Sequence, residues 1–330
     1  MGTDGMDVKV PADQVAARSA PDAGTGVRVL PLILGRWGPL GRPAVARRRR
    51  ARRASRASRA ARVRARIGLI IAAAFLVLLV LWAIVPGVFA GTDPTAVNPL
   101  AALTGPSVHN FLGTDQYGRS IYDELVYGAR PALEVGVGST LLGGAVGSLI
   151  GIVGGYLGGW FDLLIMRLID MLLALPGLLL ALIFIAALPR TLSNEIFAIA
   201  IASVPIFARV LRGQAVQVRS RPFVDAAVVS GLRRRTIVIR HVIPNCVAPA
   251  MELATVYVGV AIVIAASLSF LGLGPSEVVP DWGTLIQSGQ GYIDHDWWIS
   301  VFPGVTVTLA VIALSILGDR LRGALEPVRG

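Results

Sequence analysis

Long uncharged hydrophobic runs dominate the sequence after residue 66. Six of them approach or exceed the about 18 residues that a helix needs to cross roughly 30 Å of hydrocarbon. They lie near residues 67–90, 133–156, 168–188, 196–210, 247–273 and 299–317, and the fourth is short. The pattern predicts an all-α integral membrane protein with six transmembrane helices.

The composition agrees with residence in a bilayer. Of the 330 residues, 54% are hydrophobic and only 15% are charged, which is too apolar for a soluble domain of this length. The first run ends in "VFA", which resembles the cleavage site of a secretory signal. Because a long tail precedes this run and five more runs follow it, we expect a membrane anchor instead.

The distribution of charge predicts the topology. Fifteen arginines and Lys9 precede residue 67, and eight more arginines lie between residues 209 and 240. The segment 274–298 has no Lys or Arg but holds four acidic residues and four Trp or Tyr residues. Since positively charged segments stay in the cytoplasm, we expect both termini there and segment 274–298 outside.

The predicted organisation has five parts. They are an Arg-rich cytoplasmic tail at 1–66, a first transmembrane helix at 67–90, an extracytoplasmic segment at 91–131, a core of five transmembrane helices at 132–320 with a cytoplasmic loop at about 211–246, and a cytoplasmic C-terminus at 321–330.

The tail accounts for the basic character of the whole chain. It carries sixteen basic side chains against four aspartates, a net charge of +12, whereas the complete chain carries +11. Nucleic acid is therefore not indicated as a partner. Because the arginines directly precede the first span, we expect them to meet anionic membrane lipid; a protein or nucleic-acid docking site is the alternative. The composition of the tail predicts disorder.

No catalytic chemistry is indicated. Lys9 is the only lysine and lies outside any phosphate-binding loop. His109, His241 and His295 are isolated, and Cys246 is the single cysteine, so we predict no metal site, no disulfide and no cofactor. Any chemistry to which this chain is coupled would have to be supplied by a partner.

The stretch "FVDAAVVSGLRRRTIVIRHVIPN", residues 223–245, interrupts the apolar pattern. Pro222 suits the first turn of a helix and Gly231 its end, so a helix of about 12 Å is predicted at 223–230. Ala226 and Ala227 would form a low ridge that fits a groove of a cytoplasmic partner, and a bulky charge at Ala227 should then uncouple the chain from that partner. An amphipathic helix on the inner leaflet is the alternative.

This stretch resembles the "EAA loop" of permease subunits of ATP-binding-cassette (ABC) importers, which forms a coupling helix that docks on the ATPase. Asp225 stands where that family usually has Glu. Further marks are "GTDQYGRSIYDELVYGAR", "GGYLGGWFDLLIMRLIDMLLALP", "ASLSFLGLG", "DWGTLI" and "LGDRLRGALEP", and they resemble the C-type permeases of the dipeptide, oligopeptide and nickel branch over residues 108–328. The coupling-loop residues are then Phe223, Asp225, Ala226, Ala227, Gly231, His241, Pro244 and Asn245.

The resemblance implies a type I ABC importer permease in a bacterial cytoplasmic membrane. Its implied partners are a second homologous permease, two ABC ATPases and an extracytoplasmic substrate-binding protein, with peptides as cargo. A nickel chelate, glutathione or another small solute is the alternative cargo. The rival classes are a secondary transporter driven by an ion gradient, which would favour paired intramembrane carboxylates, and a membrane-anchored scaffold.

Some positions depart from the family pattern. Ser120 stands where Asp is usual, and Glu124 stands where Arg is usual, a reversal of charge that could alter docking of an external partner. Ala265 stands where Glu is common, whereas Glu252 replaces an apolar residue. An ionisable group at membrane depth is costly, so Glu252 is a possible pathway residue; pairing with an arginine at headgroup level or with the sister subunit is the alternative.

A stripe of glycines marks one face of the predicted second span. Glycines recur there every four residues and would leave one helix face bare, for internal packing or for a subunit interface. They are Gly143, Gly147, Gly151, Gly155 and Gly159.

In the third span, Arg167 and Asp170 are expected to pair, and Pro176 is expected to kink the helix.

Overall fold

The computed structural model describes residues 66–276 and 279–325, and the regular elements of these residues are helices. Apart from Arg66, the predicted tail at 1–66 lies outside the described residues, and so do residues 326–330 of the predicted C-terminus. The main helices are α1 Arg66–Ile84, α2 Ile121–Leu157, α3 Gly159–Leu173, α4 Gly177–Ala186, α5 Leu192–Arg219, α6 Pro222–Val229, α7 Arg234–Phe270, α8 Trp282–Ser288 and α9 Trp298–Leu325.

Five helices of the described part are long and apolar enough to cross a membrane, namely α1, α2, α5, α7 and α9. The pair α3 and α4 passes the same test together, but it is bent by 88°, so the count is six if this pair forms one span. The kink expected at Pro176 is thus present as a break between α3, which ends at Leu173, and α4, which begins at Gly177. Pro176 explains the break, because it lacks an N–H donor and disfavours the helical conformation of the residue before it.

The helices extend beyond the predicted hydrophobic runs. Helix α2 begins at Ile121, so residues 121–131, which the hydrophobic pattern assigns to the extracytoplasmic segment, form its first turns. Helix α5 covers Leu192–Arg219 and α7 begins at Arg234, whereas the runs suggest 196–210 and 247–273. Charged residues end a hydropathy window, but they do not end a helix when its next turns find polar partners or reach the membrane surface.

Four of the five glycines in the predicted stripe pack α2 against α5. A methyl group placed on Gly143 would touch the carbonyl oxygen of Ala200, and one placed on Gly155 would lie 2.7 Å from the carbonyl oxygen of Arg212. Bare glycine backbones allow this close approach of the two helices. Gly159 does not belong to the stripe: α2 ends before it, and Gly159 opens α3 with φ +72° and nothing within 4 Å of an added methyl group.

These contacts define two ends of the bundle. Because Gly143 contacts Ala200 and Gly155 contacts Arg212, α2 and α5 run in the same direction. We call the end that holds the last residues of α2 and α5, helix α6 and the first turns of α7 the arginine end. The opposite end holds the first turn of α2, helix α8 and the start of α9, and we call it the tryptophan end after Trp282 and Trp298.

Candidate functional site

Helix α6 lies at the arginine end and has the length that the sequence predicts. It covers Pro222–Val229, and Pro222 occupies its first turn. At its end, the amide of Gly231 donates to the Val228 carbonyl at 3.0 Å and the amide of Leu232 donates to the Ala227 carbonyl at 3.2 Å. This pair of bonds closes a helix through a left-handed residue, and Gly231 has φ +76°, so the chain turns sharply toward α7.

The two faces of α6 differ in exposure. Val224 and Ala227 are 2% and 7% exposed and belong to the main hydrophobic core of the bundle. Phe223, Ala226 and Val229 are exposed. The expectation that both alanines face a partner is therefore wrong for Ala227, because its spacing from Val224 turns both side chains inward. A bulky charge at Ala227 would disturb the protein's own core, and the position that probes docking is Ala226.

The remaining coupling-loop residues bring the start of α7 against α6. The Phe223 and His241 rings lie with their centroids 6.2 Å apart, and the Asn245 side-chain amide donates to the His241 carbonyl at 2.7 Å. Residues Val238–Val242, which include His241, form a π-helical turn. This wider turn precedes Pro244, whose ring would clash in a regular helix interior. Asp225 is exposed in the first turn of α6.

Two ion pairs join α3 to α5 close to this end. The Asp162 carboxylate accepts from Arg212 Nε at 2.7 Å and from Arg212 Nη2 at 2.5 Å, which is the strong two-bond geometry of arginine and carboxylate. Asp170 pairs with Arg209, so the expected pairing of Asp170 with Arg167 is wrong. Because α5 runs within three residues into α6, these pairs tie α3 to the helix that carries α6.

Glu252 is half-buried on α7, 18 residues after the first residue of that helix, Arg234 (252 − 234). This distance corresponds to about 27 Å along a helix axis. The early start of α7 thus places Glu252 five turns into the helix, instead of the two turns that the hydrophobic run suggested. Its part in a transport pathway stays a prediction.

At the tryptophan end, segments that are distant in the sequence are in contact. The indole of Trp282 donates to the Leu125 carbonyl of α2 at 3.0 Å, and the indole of Trp298 donates to the Thr114 carbonyl at 3.2 Å. Asp281 caps α8 by accepting from the Thr284 amide at 3.0 Å. Burial raises the pKa of the Asp281 carboxyl above its ordinary value. These contacts fix the segment before α2 and the loop before α9 to the bundle.

Glu124 is buried inside the protein next to Arg119. Asp115 accepts from the Arg119 amide at 2.8 Å and from Arg119 Nε at 2.7 Å, and Arg119 Nη2 lies 3.1 Å from Glu124 Oε1. Glu124 is 1% exposed, so its carboxyl group lies against Arg119 and does not face an external partner. The expected effect on external docking is therefore not supported by the position of Glu124. Ser120 caps α2 by accepting from the Asp123 amide at 3.3 Å.

Glu195 is a further buried acid that sequence reasoning missed. It lies in the first turn of α5, is 2% exposed, and leaves one carboxyl oxygen without a hydrogen-bond partner among the described residues. Glu195 directly precedes the hydrophobic run at 196–210, and an acidic residue at the end of a span is expected to be exposed, so no signal in the sequence indicates that it is buried.

Comparison with known proteins decides the family. Residues 147–329 match the family described as binding-protein-dependent transport system inner membrane component. The chain belongs to this family. The matched region runs from the glycine stripe of α2 through α6 to the end of α9, so it contains the whole coupling loop. The predictions of an ABC importer permease and of its all-α membrane fold are confirmed.

Relatives with individual names cover most of this permease. It is 38% identical to a dipeptide transport system permease protein of Alkalihalophilus pseudofirmus, over 80% of this chain and 85% of the relative. It is 35% identical to a probable D,D-dipeptide transport system permease protein of Escherichia coli, over 78% and 87%. It is also 38% identical to a glutathione transport system permease protein of Escherichia coli, over 78% and 85%.

Proposed function

We propose that this permease imports di- or oligopeptides across a bacterial cytoplasmic membrane as one subunit of an ABC importer. A second homologous permease completes the pathway, two ATPase subunits supply the energy, and an extracytoplasmic binding protein delivers the cargo. The permease itself carries out no hydrolysis. The observation that carries the proposal is helix α6, an exposed short helix fixed to the end of a long membrane helix.

Helix α6 has the properties of a docking element. Its inner face is anchored by Val224 and Ala227, and its outer face offers Phe223, Ala226 and Val229 to a partner. An ATPase that binds this face more tightly in one conformation of the bundle than in the other shifts the equilibrium between them by that difference in affinity. The ion pairs of Arg209 and Arg212 with α3 extend this effect beyond α5.

The charge distribution supports the orientation. Arg219, Arg221, Arg233, Arg234 and Arg235 cluster at the arginine end, which the positive-inside rule assigns to the cytoplasm. If the α3–α4 pair crosses as one span, six spans place both termini on that side. We therefore assign the arginine end and both termini to the cytoplasm, and the tryptophan end to the outside.

The peptide cargo rests on the names of two relatives, which are a dipeptide and a D,D-dipeptide permease. Glutathione is the second candidate, because a relative of equal identity is a glutathione permease. The binding protein selects the cargo before it reaches the membrane, so related permeases can serve different solutes.

Uptake into membrane vesicles tests the proposal. Vesicles that contain the complex, its binding protein and internal ATP are supplied with a labelled dipeptide or with labelled glutathione. We expect dipeptide accumulation that requires both ATP and the binding protein. Accumulation that is driven by an ion gradient without ATP would contradict the proposal and favour a secondary transporter, and preference for glutathione would replace the cargo.

A further inference from the structure

A cavity of about 420 Å³ lies beside α6 at the arginine end. The last turn of α2, the end of α5, one flank of α6 and the first turns of α7 form its walls. The lining residues include the apolar Leu157, Val228 and Ile237 and the basic Arg219 and Arg234. Such a lining suits a ligand that has both an apolar part and an anionic part.

The two guanidinium groups are available for an anion. Neither of them forms an ion pair with a described residue. Asp225 also lines the cavity, which leaves a net charge of +1 from these three side chains. Arg219 reaches toward the corner between α2 and α3, where its Nη1 would lie 3.0 Å from a methyl group placed on Gly158. The cavity is therefore basic, and its basic groups come from two different helices.

The length of α5 is compatible with a cavity at the depth of the lipid headgroups. Helix α5 has 28 residues, which gives a length of about 42 Å at 1.5 Å per residue. A bilayer measures about 40–45 Å including its headgroups. A helix of this length can reach from one headgroup layer to the other, so Arg219, in the last turn of α5, can lie level with lipid phosphates.

We propose that this cavity binds an anionic phospholipid, with its phosphate between Arg219 and Arg234 and its glycerol and upper acyl groups against the apolar wall. The leaflet is the cytoplasmic one, which rests on the orientation given under the proposed function. Basic pockets between membrane helices on the cytoplasmic side are suited to such headgroups. The bound lipid would support the flank of α6 that faces away from Ala226, and so stabilise the position of the docking face.

The ATPase subunit is the competing occupant of these arginines, through an acidic side chain. The exposed face of α6 argues for separate sites. Phe223, Ala226 and Val229 do not line the cavity, whereas Val228 and Asp225 do. The helix therefore has one flank toward the lipid cavity and another that remains open to a protein.

Photo-crosslinking tests the proposal with the full chain, alone and in the assembled complex. The protein is placed in phosphatidylcholine vesicles that contain a photoactivatable phosphatidylglycerol, and the crosslinked peptides are identified by mass spectrometry. We expect labelling at residues 156–158 and 224–237. The Arg219→Gln/Arg234→Gln variant should need a roughly 30-fold higher probe concentration for equal labelling, which is about 2 kcal/mol for the direct phosphate contacts of the two guanidinium groups.

The matched control is Arg233→Gln/Arg235→Gln, which removes the same charge from the two neighbours of Arg234, and these do not line the cavity. It should leave the labelling unchanged. Equal loss in both variants would show general surface attraction and overturn the proposal. Competition by inorganic phosphate as strong as by phosphatidylglycerol, or loss of labelling when ATPase subunits bind, would also overturn it.

The assay separates this proposal from the function. It requires neither ATP hydrolysis nor cargo, so a chain that recruits no ATPase can still bind lipid at the cavity. Folding of each variant is checked with the single cysteine, Cys246, which is buried in the folded chain and reacts with a thiol dye only on unfolding.

Discussion

Replacing Gly151 by alanine tests the packing of α2 against α5. The added methyl group would lie 2.9 Å from the amide nitrogen of Arg212 and 3.0 Å from the carbonyl carbon of Ala208, and it would also touch the Ala208 carbonyl oxygen. All three atoms belong to the backbone of α5, so no side-chain rotation can relieve the contact. The two helices would have to move apart along the glycine stripe.

We expect the added methyl group to lower the free energy of unfolding, because it overpacks the interface between α2 and α5. Additional methyl groups in a well-packed interior typically cost about 1–3 kcal/mol. For a domain of 150–250 residues, each 1 kcal/mol lowers the midpoint of thermal unfolding by about 2–4 °C. We therefore expect Gly151→Ala to lower this midpoint by roughly 2–12 °C, from the product of these two ranges.

The reactivity of Cys246 measures this change, because Cys246 is the only cysteine in the chain and is buried. The purified chain is heated in detergent with a dye that fluoresces on reaction with a thiol. Gly213→Ala is the matched control, since Gly213 lies in α5 with nothing within 4 Å of an added methyl group. An unchanged or higher midpoint for Gly151→Ala, with no loss for Gly213→Ala, would refute the close packing of α2 on α5.

Four further substitutions probe other parts of the structure. Asp162→Asn weakens the ion pair with Arg212 and should cost about 2 kcal/mol in the same melting assay, whereas Asp170→Asn, in a more exposed pair, should cost less than about 1 kcal/mol. Trp282→Phe removes a buried indole hydrogen bond and should cost about 1 kcal/mol. Glu252→Gln should slow peptide uptake if Glu252 lines the pathway; an unchanged rate and cargo preference would exclude that role.

Local signals in the sequence predict α6 well. Pro222 fixes the first turn and Gly231 supplies the left-handed residue that closes the helix, and both effects act within a few residues. The glycine stripe is also predictable from the local sequence, because glycines that recur every four residues lie on one face of a helix and leave it without side chains. What the stripe packs against, α5 or another subunit, depends on the fold and not on the stripe itself.

Features that depend on distant partners are not predictable in this way. The length of α5 beyond the hydrophobic run depends on Arg212, whose partner Asp162 lies 50 residues earlier. The inward direction of Ala227 depends on where the bundle core lies relative to α6. The contact between Glu124 and Arg119 requires the turn between them, whereas a comparison of single positions shows only that Glu124 stands where the family usually has Arg.

The coupling of α6 to an ATPase is the central claim, and co-purification tests it most directly. The tagged chain is extracted from its own membranes in mild detergent, and the recovered proteins are identified by mass spectrometry. We predict recovery of a second permease and of ATPase subunits. Ala226→Arg should lose the ATPase subunits, and Ala96→Arg, an equal change at an exposed position before α2, should retain them. Full retention of the ATPase subunits by Ala226→Arg would contradict the claim.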